Sequence, residues 1–316
     1  MPSAFGAAAG VINPVTGRWM TKTWNFDQLL PEAVKTYRAI EQKFDIQVYH
    51  PIPEIRFCQN AEDLKRVGKR MRNPRYQDVL SHMAATGEAA PEFNDDFGTL
   101  HINQAAYVDL PLVVHTLRAS FATLGRFRDE TFLHSELKPG TTGWQYQNLH
   151  ADKVIFCEGA AMKDNPWFKN LPLKPAKGET LLCHSPTLRL PQKLYHHKKW
   201  FLPYPDGNFR IGATYDESDL SDAPTQAKKD ELLTAAQEAL KKPHQVDVSA
   251  HLAGIRPSTI DSRPIIGAHP NNLGLYLVNG LGSKGASTAP TMTQQLTNYI
   301  LKKSPIEDEV NLTRFY

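Results

Sequence analysis

Residues 278–288 read VNGLGSKGAST, and the three glycines Gly280, Gly282 and Gly285 fall at the spacing G-x-G-x-x-G. That spacing marks the phosphate turn of a dinucleotide-binding βαβ unit only when a strand leads into it and a helix and a second strand come after. The first two conditions are met. Leu273 to Val278 is an apolar run, and Ser287 to about Lys303 has a helical pattern with Pro290 in its first turns. The third is not, because a complete unit takes ~30 residues or more. The segment after the helix, SPIEDEVNLTRFY, carries no strand-length apolar run, and Glu307 comes after a helix end rather than a second strand. The stretch therefore reads as a strand entering a glycine-rich turn and a helix. Unbonded N–H groups and the positive end of a helix dipole face whatever lies beyond the strand. Glycines there let the backbone approach a flat or anionic ligand closely. A tight turn with no ligand is the alternative.

Outward from this turn the composition is that of a globular chain. Its 316 residues, 41% hydrophobic and 22% charged, suffice for a real core, in about two domains or one large α/β domain with insertions. The net charge of +3 is spread rather than clustered, which leaves no electrostatic footprint for nucleic acid. Cys58, Cys157 and Cys183 stand far apart, which argues against a disulfide framework or a metal site and for a reducing compartment. No run approaches the ~20 apolar residues of a membrane span, and MPSAFGAAAG lacks the pattern of a signal peptide. The expectation is a cytoplasmic protein with no membrane partner.

Periodicity predicts a helix over 27–44 with Asp27 as its cap, and strands at Ile46 to Tyr49 and Ile55 to Cys58. Residues 74–99 read as a polar surface excursion. A second helix begins after Asp109, with Leu110, Val113, Val114, Leu117, Phe121 and Leu124 on one stripe and Gly125 past its end. Val154 to Cys157 is a short strand ending near Gly159. Asp206-Gly207 predicts a hairpin between Trp200 to Pro203 and Asn208 to Ala213. Residues 225–242 are helical by pattern, and His196-His197-Lys198-Lys199 reads as a solvated stretch.

The segment AGIRPSTIDSRPIIGAHPNNLGLYLVNGLGSKG (253–285) resembles the C-terminal signature of FAD-dependent oxidoreductases of the D-amino-acid oxidase and glycine oxidase family. The elements are Gly254-Ile255-Arg256-Pro257, then Asp261 to Gly267, the strand Leu275 to Val278, the glycine turn, and Ala289-Pro290 in the helix. AAAGVINPVTGR (7–18), ADKVIFCEG (151–159) and KWFLPYPDGNFRIGAT (199–214) resemble other parts of the family in the same order. The family begins with a G-x-G-x-x-G βαβ unit, whereas Met1-Pro2-Ser3 leads directly into the loop that should come after it. The first βαβ unit is therefore expected to be missing, together with the main pyrophosphate contacts.

The resemblance implies an α/β fold. Its FAD-binding domain is discontinuous, Rossmann-like and of the glutathione-reductase type (1–26, 104–172 and 252–316), with an inserted mixed-sheet α+β substrate domain (27–103 and 173–251). It implies noncovalent FAD, since no cysteine falls in a motif for flavin attachment. The implied reaction is oxidation of a C–N bond in a small-molecule amine or amino acid, with hydride passing from the α-carbon to flavin N5. Ala9, Gly10, Gly159, Gly280, Gly282, Ser283 and Gly285 are the implied cofactor contacts. Arg256 would capture a substrate carboxylate, with an ion pair to Asp261 as the structural alternative. Lys284 would place a cation at the flavin edge, or be an exposed turn lysine. Trp200 would wall the substrate pocket, or simply pack. The variant Leu281 to Gly285 is most similar to the oxidase half of the enzyme that trims carboxymethylaminomethyl-uridine in tRNA, and this stands as a second reading. A truncated, non-catalytic remnant or a mis-started reading frame is a third.

Overall fold

The computed structural model describes residues 4–316; Met1-Pro2-Ser3 lies outside them. The larger of its two principal sheets has eight strands. Their order is β17 (Asp247–Arg256), β13 (Ala176–His184), β16 (Phe209–Gly212), β15 (Trp200–Pro203), β14 (Leu194–His196), β5 (Glu54–Phe57), β7 (Thr99–Ile102) and β6 (Leu80–Ala84). The sheet is mixed: β14 runs parallel to β5 and the remaining pairs are antiparallel. In the second sheet β12 (Val154–Phe156) pairs in parallel with β19 (Leu275–Asn279), which is antiparallel to β18 (Ile265–Ala268). Smaller groups are β1 (Val11–Ile12), β8 (Ala106–Val108) and β4 (Tyr49–Pro51); the pair β2 (Val15–Thr16) and β3 (Thr21–Lys22); and the meander β9 (Leu137–Pro139), β10 (Trp144–Tyr146), β11 (Leu149–Ala151).

The helices arise from stripes and caps. Helix α1 (Phe26–Phe44) buries Leu29, Ala33 and Tyr37 at four-residue spacing, and Leu29 shares a core with Met292 and Leu296 of α5 (Gly285–Ile300). Its cap position is Asn25, in the left-handed region at φ 52°, not Asp27; Asp27 instead accepts a 2.7 Å bond from Lys22 Nζ in the first turn. Asp109 caps α3 (Leu110–Thr123) as its spacing predicts, accepting from the Leu112 amide at 2.9 Å. Thr225 caps α4 (Gln226–Ala239), whose Leu232 and Ala236 cover one face of the large sheet. Helix α2 (Ala61–Met71) buries only Val67, so its charge-rich sequence offers no apolar stripe to predict it.

Several expectations change in the structure. The 74–99 segment is more than an excursion: it contributes β6 and inserts the fully buried Phe93 among Phe57, Tyr195 and Phe201, at ring separations of 5.1, 4.8 and 5.2 Å. One aromatic anchor outweighs the surrounding polarity. On α3 the apolar stripe is only partly used, since Val113 is buried whereas Phe121 and Leu124 are 48% and 60% exposed. Strand β12 is an edge strand of its sheet, with Ile155 48% exposed.

The last change is at the histidine pair. His196 Nδ1 lies 3.3 Å from the buried Glu54 carboxylate, and the His197 ring packs against Phe57 at 5.5 Å. Burial pushes the His197 pKa down to about 4. A histidine held neutral by folding contributes stability that is full above its unfolded pKa near 6.5 and is lost as pH falls toward 4. The expected loss between pH 7.5 and 4.5 is ~2–3 kcal/mol from this group, visible as a lower urea midpoint. His197→Phe should flatten that part of the pH dependence. An unchanged slope in the variant would show that His197 is not its source.

Candidate active site

Strands β12 and β19 end side by side. Gly159 lies just past β12 with φ 56°, and Asn279 Nδ2 donates to its carbonyl at 2.9 Å, tying the two strand ends together. The chain then enters the glycine turn, with Gly280 at φ 72° and Gly282 at φ 54°, conformations that favour glycine. The two differ in what surrounds them. A Cβ on Gly280 would sit 2.8 Å from Thr259 Cγ2 and 3.0 Å from the Ile265 amide, so this glycine is required by packing. A Cβ on Gly282 would meet nothing closer than Ser258 Oγ at 3.4 Å, and one on Gly285 only Leu281 at 3.7 Å. The backbone amides of Ser283, Gly285 and Ala286 find no acceptor among the described residues, so the first turn of α5 presents free donors. Lys284 is the residue before that helix. Its half-buried side chain has no acidic partner among the described residues, and burial, with Arg263 nearby, pulls its pKa down.

The end of β17 is bonded to this turn, the Gly282 amide donating to the Pro257 carbonyl at 3.2 Å. One residue before Pro257, Arg256 lays its guanidinium over Gly178, where any side chain would collide with it. Nη1 donates to the Lys177 carbonyl and Nη2 to the Thr214 carbonyl, both at 3.1 Å, and Cζ stands 5.7 Å from the Tyr215 ring centre. No carboxylate among the described residues pairs with it. Asp261, the structural alternative, is instead bonded to Arg314 Nε at 3.0 Å. Burial lowers the Arg256 pKa, the mark of a cation set in poorly hydrated surroundings.

Register places the neighbours. Directly opposed residues of paired strands share a face, so Arg256, Gly254, Gly178, Thr180, Gly212, Trp200 and Arg210 lie on one side of the large sheet. The α4 core lies on the other side. Trp200 covers Gly212, where a Cβ would collide with its indole ring. The opening segment crosses the same face: Thr180 Oγ1 donates to the Ala7 carbonyl at 3.3 Å and Arg210 Nη1 to the Ala8 carbonyl at 3.0 Å. Ala9 and Trp200 belong to one apolar cluster. Gly10, at φ 64°, presses on the Val108 backbone, and Ile12 and Val108 share a core with Ala286 of α5. A cleft of about 600 Å3 continues this face past Ala8 and Ala9 to Tyr107, Tyr204 and Arg210.

The structure thus sets Gly159, Gly280, Gly282, Ser283 and Gly285 at and just past the paired strand ends, and Ala9, Trp200 and Arg256 at one face of the large sheet, the two groups joined through the Gly282–Pro257 bond. Gly10 serves the backbone contact beneath them. Sequence reasoning missed Tyr215 and the Lys177 and Thr214 carbonyls. Tyr215 comes directly after the hairpin's Gly-Ala-Thr, the one signal that pointed to it. Backbone acceptors leave no trace in side-chain patterns. Among the described residues no cluster of metal-ligating side chains occurs, and no helix is long and apolar enough to cross a membrane.

The chain is similar to known proteins in sequence and in fold. Glycine oxidase of Pseudomonas aeruginosa is 28% identical over 218 residues, which are 66% of this chain and 60% of that protein. The tRNA 5-methylaminomethyl-2-thiouridine biosynthesis bifunctional protein of Marinobacter nauticus is 30% identical over 173 residues, 50% of this chain and 27% of that one. The match thus spans less than two thirds of either relative's length. The crystal structure of glycine oxidase from Geobacillus kaustophilus superposes with a TM-score of 0.82 at 20% identity, covering 97% of this chain and 86% of the other, a likeness of fold. The family model of FAD dependent oxidoreductases (DAO) matches residues 2–299, and the chain belongs to that family.

Proposed function

We propose that this protein oxidises the C–N bond of an α-amino acid or an N-substituted amino acid, with noncovalent FAD as cofactor. The observation that carries the reading is Arg256, a half-buried guanidinium with no carboxylate partner among the described residues, directly before the Pro257 whose carbonyl bonds the glycine turn. Two carbonyls occupy one N–H on each of its terminal nitrogens and leave the remaining N–H groups for a substrate carboxylate. Trp200 and Tyr215 then flank the substrate, while Gly178 and Gly212 make room on the sheet face for the Arg256 guanidinium and the Trp200 indole.

The glycine turn fits a flavin ring. Gly282 and Gly285 leave space that a side chain would fill, and the free amides of α5 suit the ring edge that gains negative charge on reduction. Lys284 adds a positive charge there. FAD bound in this place supplies the acceptor for the hydride of the substrate α-carbon. The chain's own part is to fix the carboxylate, orient the α-carbon and exclude water; the released imine then takes up water to give a carbonyl compound and ammonia, or an amine where the substrate nitrogen is substituted. Burial raises the Cys58 and Cys183 thiols to about 11 and about 12, which keeps these two unreactive.

We place the FAD-binding domain at 1–26, 104–172 and 252–316 and the substrate domain at 27–103 and 173–251. The parallel strand pair falls in the first and most of the large sheet in the second, while α1 bridges them through Leu29. The likeness of Leu281 to Gly285 favours a second reading, trimming of the uridine side chain in tRNA. Retention of tRNA on the protein at low salt would support it. The main reading is tested by whether amines bearing an α-carboxylate, and not the matching alcohols, reduce the bound flavin.

A further inference from the structure

A charged cluster lies on the far side of β13, behind Arg256. Lys177 is 1% exposed, among the largest fully buried side chains of the molecule. Its Nζ donates to Asp219 Oδ2 at 2.7 Å, to Ser221 Oγ at 3.0 Å and to the Ala223 carbonyl at 2.6 Å, and stands 3.5 Å from Glu179 Oε1. Glu179, also buried, accepts from the Thr225 amide at 2.9 Å and hydroxyl at 3.2 Å, with His251 Nε2 at 2.8 Å. Burial alone would pull the lysine pKa down; Asp219 and Glu179 prevail and hold it charged. The cluster therefore staples the whole 216–225 loop to the back of β13.

That loop begins where Arg256 is held. The Lys177 and Asp216 backbones exchange a pair of bonds at 2.7 and 3.0 Å, the Thr214 amide donates to the Glu179 carbonyl at 3.1 Å, and the Glu179 amide donates to Thr214 Oγ1 at 2.9 Å. The two carbonyls that grip the guanidinium, those of Lys177 and Thr214, are thus on the two backbones the cluster joins. We propose that Lys177, through Asp219 and Glu179, is a positioning residue that sets the orientation of the Arg256 fork toward the substrate carboxylate; this rests on the carboxylate-capturing role given to Arg256. A hydrophobic residue at 177 would fill the volume more cheaply than a buried ion cluster. What the ions add is direction: bonds at fixed angles to three successive points of one loop.

The test compares Asp219→Asn, which loosens the loop at its partly exposed end without stranding a buried charge, with Lys177→Met and Arg256→Met in the FAD-loaded protein. Two readouts are taken: KM and kcat for an amino acid and for an amine without a carboxylate, and calorimetric affinity for glycolate. Asp219→Asn should raise KM for the amino acid and weaken glycolate binding about 10-fold or more, with the carboxylate-free amine and kcat little changed. Lys177→Met should do the same more strongly if it folds. If Arg256→Met shows the carboxylate-selective loss and Asp219→Asn does not, the positioning role is refuted. If Arg256→Met itself shows no selectivity, the reading of Arg256 has failed instead.

Discussion

In the FAD-loaded protein, Arg256→Met is expected to lower kcat/KM for an α-amino acid by ~30- to several-thousand-fold, equivalent to ~2–5 kcal/mol, mostly through KM. The size comes from where the guanidinium sits. It is half-buried, held by the Lys177 and Thr214 carbonyls at 3.1 Å, and unpaired with any described carboxylate. A substrate carboxylate entering there loses its water, so removing the cation leaves it desolvated and unpaired. Flavin content should not change, because Arg256 bonds backbone oxygens of the large sheet rather than the glycine turn. Arg256→Lys should recover only part of the loss, since an ammonium cannot reproduce the planar fork. The control is an amine lacking the carboxylate. Equal loss on both substrates would mean that Arg256 only braces Tyr215 and the adjoining loop.

Gly282→Val should abolish stable flavin binding while leaving a folded protein. Its Cβ would meet only Ser258 Oγ at 3.4 Å, so the protein itself has room for it, and the φ of 54° adds strain of ~1–2 kcal/mol. The volume filled is the one assigned to the ring. Gly280→Val makes the contrast: with Thr259 Cγ2 at 2.8 Å and φ 72°, it should destabilise the fold itself. Thermal unfolding of both apoproteins, with flavin-binding titrations, separates the two effects. Lys284→Met, at the same turn, should leave binding largely intact but lower the reduction potential. Flavin affinity unchanged in Gly282→Val would remove the ring from this turn.

Local chemistry was legible in the sequence where one residue enforces one geometry. Asp109 announced a cap, Asp206-Gly207 a hairpin, and the ordered glycines, Arg256-Pro257 and Ala289-Pro290 a resemblance that spans most of the chain. Rejecting the Rossmann reading of Gly280 to Gly285 needed only the residues beyond it, and the structure agrees: α5 gives way to turns and a final 3-10 turn, Leu312–Phe315. What escaped was set by long-range packing. Phe93 sits in a polar stretch yet anchors a core built from β5, β14 and β15. His197 looked solvated beside two lysines because nothing local reveals Phe57 beneath it. The same holds at the site, where Arg256 could be picked out but not the carbonyls that grip it, nor the ion cluster behind them.

The central claim is that a carboxylate-bearing amine is oxidised at the place where Arg256 meets the glycine turn. Anaerobic mixing of FAD-loaded protein with a panel of α-amino acids, N-substituted glycines and the corresponding α-hydroxy acids tests it most directly, monitored through the visible absorbance of the flavin. The account predicts rapid bleaching by at least one amine of the panel, loss of that bleaching in Arg256→Met, and none with the hydroxy acids. Bleaching by the hydroxy acids alone, or bleaching by an amine that survives unchanged in Arg256→Met, would contradict it.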